Sequence, residues 1–143
     1  MEKSVIEARL KKLDEYQKSL LRFQNLSRDK YVEDDDIQTI VERKLQLAIQ
    51  ACIDISSYII ARQNFDIPEE EENLFLVLAR EDVIGDELAE RMKGMVNFRN
   101  ILVHEYLEID NDIVHTHLKD NLEDFDQFAK SIVEFLEEKF PDT

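Results

Sequence analysis

Between positions 36 and 64 the apolar residues Ile37, Val41, Leu45, Ala48, Cys52, Ile55 and Ile59 return every three or four positions without a break. That rhythm keeps one face of an α-helix apolar along its whole length, whereas a strand would need a period of two. Ile40, Leu47, Ile49, Ala51, Ile53, Tyr58 and Ile60 widen the apolar surface well beyond one stripe. A helix of this kind packs on several sides as the spine of a bundle, and it is a candidate to meet another subunit. Two glycines and two prolines in 143 residues leave little material for hairpins or phosphate-cradling loops. The fold class is therefore all-α.

The remaining helices read outward from this spine. Ile6, Leu10, Leu13, Leu20 and Phe23 mark an amphipathic helix over about 4–27, and the acidic break YVEDDD offers Asp35 or Asp36 as N-cap of the spine. The loop FDIP ends the spine. Pro68 and the run of glutamates at 69–72 suit the first turn of a short helix over about 69–80. A fourth helix from about 86 carries Leu88, Met92, Met95 and Val96 inward. A last helix over about 111–140 carries Leu118, Leu122, Phe125, Ala129, Ile132 and Leu136, and Pro141 stops it. The expected architecture is an antiparallel four-helix bundle with an additional short helix, forming a single domain over 1–143.

Charge restricts function. A formal net charge of −15 argues against nucleic-acid binding through the general surface, because such affinity comes from lysine and arginine neutralising phosphates. Any RNA chemistry must be local, and a charge this negative more often means solubility, or a basic partner, than catalysis. The charged N-terminal stretch MEKSVIEARLKKLDEYQ does not resemble a signal peptide, and no apolar run approaches the roughly 20 residues of a membrane span. The single cysteine, Cys52, lies in an apolar run and reads as a buried, inert thiol in a reducing compartment. A cytoplasmic protein without membrane contact is expected.

The chemistry-bearing residues concentrate in NFRNILVHEYLEID, where Arg99, Asn100, His104 and Tyr106 fall within eight positions. Extending the stripe Leu88, Met92, Met95 arrives at Arg99, and an inward guanidinium needs a cleft or a carboxylate partner. On a continuous helix Asn100 and His104 share a face, while Arg99 and His104 diverge by about 140°. Either the helix ends near Val103 and swings His104 round, or a second subunit completes the site, or long side chains converge partway at the helix end. Such a set supports RNA cleavage without a metal or other cofactor. The 2′-hydroxyl attacks the phosphodiester, a histidine moves the proton, an arginine stabilises the added charge, and a 2′,3′-cyclic phosphate remains. The same residue types also form ordinary structural hydrogen-bond groups.

The segment RNILVHEY resembles the arginine, four residues, histidine, any residue, tyrosine motif of HepT-like toxins, and VERKLQLAIQACIDIS resembles their long second helix. The helix order is similar over essentially the whole chain. The resemblance implies a HEPN-fold homodimer that cleaves RNA rather than DNA, as the endoribonuclease toxin of a type VII-like toxin–antitoxin system. It further implies Arg99 and His104 as the active pair, Asn100 as a neighbouring polar residue, and Tyr106 as the residue adenylylated by a partner nucleotidyltransferase antitoxin.

Other residues invite weighing. Asp54, amid Leu47, Ala51 and Tyr58, reads as a half-exposed residue at a groove edge or as the charge partner of Arg99. His115 and His117 face different ways on a helix and read as surface residues, with no ligand set to complete a metal site. Arg80, Arg91 and Lys93 read as solvated helix faces or as RNA contacts. The clusters EDDD and EEEE read as helix-start charge rather than metal ligands. Two other functions compete with the toxin. One is a non-catalytic helical subunit that binds nucleotide or substrate for a nucleotidyltransferase. The other is a plain dimerising bundle in which Arg99 and His104 serve only stability.

Overall fold

A computed structural model describes residues 2–141, apart from the side chain of Tyr106. The described chain is helical, with no strand. Its seven α-helices are α1 (Lys3–Leu21), α2 (Arg28–Val32), α3 (Asp35–Arg62), α4 (Leu74–Arg80), α5 (Asp86–His104), α6 (Asn111–Asp120) and α7 (Leu122–Lys139). Short 3-10 turns at Glu71–Asn73 and Tyr106–Glu108 precede α4 and follow α5. The four long helices expected from periodicity are α1, α3, α5 and α7.

Helix α3 is the spine: it packs against α1, α2, α4, α5, α6 and α7. Val41, Leu45, Ala48, Cys52, Ile55 and Ile59 are fully buried, as their stripe predicts, and Ile49, Ile53 and Ile60 are buried on a neighbouring face. The Cys52 thiol sits among them, and burial pushes its pKa up, so it is inert at neutral pH. Phe75 of α4 meets Phe128 of α7 edge to face at 5.9 Å, locking these two helices over the same core.

The scarcity of glycine has a structural answer. Asn64 and Asp82 take the left-handed conformation, with φ of 58° and 60°. Each ends a helix in a Schellman arrangement: the Phe65 amide donates to the Ile60 carbonyl at 3.0 Å and the Val83 amide to Leu78 at 2.8 Å. Asparagine and aspartate tolerate this region better than other residues with a Cβ.

Several boundaries depart from expectation. The N-cap of α3 is Asp34, whose Oδ1 accepts from the Ile37 amide at 3.1 Å, while Asp35 and Asp36 lie in the first turn. The first helix stops at Leu21, because Ser27 caps a separate helix α2 by accepting from the Lys30 amide. The glutamates at 69–72 precede α4 instead of forming its first turn. The last helix breaks at Asn121 into α6 and α7. There the Asn121 amide group contacts His117 Nδ1, and Asp124 accepts from Arg91 Nε at 2.7 Å. These side-chain anchors redirect the chain where the apolar stripe itself runs straight through. Helix α6 is tied to α2 by Arg28, whose Nε and Nη2 reach both carboxylate oxygens of Asp112.

Candidate functional site

Arg99 continues the stripe of Leu88, Met92 and Met95 as periodicity predicts, and its side chain is 12% exposed. Burial of this charge is supported on three sides. Nε donates to Asn100 Oδ1 at 3.0 Å, Nη1 donates to Gln50 Oε1 on α3, and Nη2 forms an ion pair with Glu71 Oε1 from the turn before α4. A guanidinium with its nitrogens so engaged is held in one plane, which is the preorganisation that anion recognition needs.

Asp54 is not the charge partner of Arg99. Its Oδ1 accepts from Gln50 Nε2 at 2.9 Å, and its Oδ2 lies 3.5 Å from Arg9 of α1. It touches the arginine only through Gln50. A polar chain therefore runs Arg9, Asp54, Gln50, Arg99, Glu71, crossing α1, α3, α5 and the turn before α4. Glu71 and Gln50 are the site residues that sequence reasoning missed. Gln50 stands four positions before Asp54 on the same helix face, which is a usable signal. Glu71 is one of four consecutive glutamates and carries none.

Helix α5 remains helical through His104, and the Glu105 amide closes on the Ile101 carbonyl at 2.9 Å. The helix does not end at Val103 to swing the histidine round. Five helical residues separate Arg99 and His104 by about 140° and about 7.5 Å along the axis. Arg99 is turned to α3 and Glu71, and His104 is exposed at the helix end. Asn100 shares the histidine's face by its spacing while its Oδ1 turns to Arg99. Ile101, Val103 and Leu107, in the same stretch, expose apolar side chains. Tyr106 opens the following 3-10 turn, and its side chain lies outside the described residues.

Residues expected at the surface are otherwise employed. His117 stacks on Phe98, ring centroids 3.8 Å apart at 17°, and burial is the main cause that lowers its pKa below the usual 6.5. His115 Nε2 lies 2.8 Å from the Leu26 carbonyl. Arg91 is exposed on its helix face, as expected, and is also tied down there by Asp124 and Gln127.

The all-helical bundle has the fold of solved HEPN toxins. The chain matches the family described as ribonuclease HepT-like over residues 6–132, and it belongs to that family. It is 38% identical over 102 residues to the mRNA nuclease HepT of Shewanella oneidensis, covering 71% of this chain and 77% of the relative. It is 32% identical over 136 residues to the tRNA nuclease HepT of Aphanizomenon flos-aquae, covering 95% of this chain and 92% of the relative. Among solved structures, the tri-AMPylated Shewanella oneidensis HEPN toxin in complex with MNT antitoxin is similar. Its TM-score is 0.83 at 31% identity, with 94% of this chain and 99% of that one covered.

Proposed function

We propose that this chain is the ribonuclease toxin of a toxin–antitoxin pair: a metal-independent endoribonuclease whose active site joins Arg99 and His104 across a homodimer. The observation that carries the reading is the largely buried guanidinium of Arg99, held by one bond at each nitrogen with N–H donors to spare, on the same unbroken helix as an exposed His104. One helix aims these groups apart, so a two-fold axis beside the end of α5 is the economical way to bring one protomer's arginine to its partner's histidine. The exposed Ile101, Val103 and Leu107 beside the histidine supply the apolar contact such an interface uses.

At that site the ribose 2′-hydroxyl attacks the adjacent phosphorus. His104 takes part in the proton transfers, and Arg99 stabilises the charge that builds on the phosphoryl oxygens. The P–O5′ bond breaks, leaving a 2′,3′-cyclic phosphate and a 5′-hydroxyl. Asn100 supports the arginine through its Nε. The antitoxin partner is a nucleotidyltransferase, which adenylylates the Tyr106 hydroxyl. Added negative charge two residues from His104 would exclude the RNA phosphate.

The test is growth arrest on inducing the protein alone, with total RNA examined for 2′,3′-cyclic phosphate ends, beside Arg99→Ala and His104→Ala variants of equal fold. Arrest and new ends that vanish in both variants are expected, with cleavage reduced by at least about 100-fold. A folded, unmodified wild type that cuts no RNA would overturn the proposal and favour an accessory nucleotide-binding subunit.

A further inference from the structure

In a protein with 33 acidic and 18 basic residues, most of the surface repels a phosphate backbone. The seam between α1 and α3 differs. Arg9, Lys12 and Tyr16 of α1 line it together with Gln50 and Asp54 of α3, and farther along Tyr58 and Arg62 line it with Glu2. Two cation–aromatic pairs stand on it: Lys44 lies 5.6 Å from the centroid of Tyr16, and the Arg62 guanidinium 5.1 Å from that of Tyr58. From Lys44 to Arg62 the seam extends about 27 Å along α3, room for several nucleotides. It also runs into the proposed active site, because Gln50 lines the seam and accepts from Arg99.

We propose that this seam is the binding track for the single-stranded RNA flanking the cleaved bond. Arg9, Lys12, Lys44 and Arg62 meet its phosphates, and Tyr16 and Tyr58 meet its bases. The inference rests on the ribonuclease reading and deepens it. Interleaved cations and aromatic faces are what a sequence-tolerant single strand requires, since every base offers a face to stack and every linkage a charge. The acids on the seam do not cancel it. Asp54 stands 3.5 Å from Arg9 and Glu15 3.4 Å from Lys12, with all four side chains well exposed, so a phosphate can exchange for either carboxylate at little cost, and Glu2 at the far end is exposed as well. Gln50, bonded both to Asp54 and to Arg99, joins the track to the guanidinium between Lys44 and Arg62.

The experiment measures fluorescence anisotropy of a labelled 12-nucleotide unstructured RNA with His104→Ala protein, which binds without turnover. Adding Lys12→Ala and Arg62→Ala together, both exposed positions, should weaken binding about 10-fold and reduce the slope of log affinity against log salt by about 1 to 2. Tyr16→Leu, which keeps an apolar side chain against the core and removes the aromatic face, should weaken binding severalfold with unchanged helicity by circular dichroism. Lys130→Ala on α7 should leave affinity unchanged. Unaltered affinity in the seam variants would overturn the track. So would dissociation of the dimer by them in sedimentation, which would make the seam an interface between copies. If the His104→Ala protein binds no RNA at all, the ribonuclease reading fails together with the track.

Discussion

Arg99 occupies a face otherwise made of Leu88, Met92 and Met95, and a lone guanidinium there would be costly to bury. Glu71 removes that cost, but on the proposed mechanism it also competes with the RNA phosphate for the same nitrogen. Glu71→Gln in the His104→Ala protein should therefore bind RNA several times more tightly, read by the same anisotropy titration. Weaker binding would mean that the carboxylate aims the arginine instead of masking it. At this scale the sequence was half legible. The inward spacing of Arg99 declared that a partner must exist. Its identity was hidden, because Glu71 lies 28 positions away among three other glutamates, and Asp54 stood on an equally suitable helix face.

Element by element, long helices were readable and interruptions were not. The stripe of α3 predicted its buried residues because a 28-residue helix repeats its period many times. Helix α2, with five residues, is too short to show one, and it is recognisable only through Ser27 as its cap. The break at Asn121 was invisible because Leu118, Leu122 and Phe125 keep helical spacing across it, and the redirecting contacts come from His117 and Arg91. His117 makes this corner sensitive to pH. Burial lowers its pKa, with the Asn121 contact and the Asp120 charge opposing. The unfolded chain then takes up a proton before the folded one does. The stabilising contribution is fully present above about pH 6.5 and is lost as pH falls through that value toward the lowered folded pKa. Thermal unfolding between pH 7.5 and 5 should show a loss of stability that His117→Phe, which keeps the stack on Phe98, reduces. An identical pH profile in both proteins would remove His117 from this role.

For the whole molecule, a charge of −15 and the proposed nuclease are compatible if the phosphate contacts gather at Arg99 and the α1–α3 seam while the rest of the surface stays acidic on balance. The all-α bundle was legible from periodicity together with the scarcity of glycine and proline, and the family from the motif around Arg99 and His104. How those two residues would meet was not legible in one chain. Helix α5 stays regular and directs them apart, so the account requires a second copy to complete the site. That requirement can be tested directly by co-expressing Arg99→Ala and His104→Ala subunits with different tags, isolating the mixed dimer and measuring cyclic-phosphate ends on RNA. Each mixed dimer holds one complete site if the arginine of one protomer works with the histidine of the other, so it should cleave at about half the wild-type rate while either parent homodimer is inactive. A mixed dimer as inactive as its parents, beside an active wild type, would contradict the account.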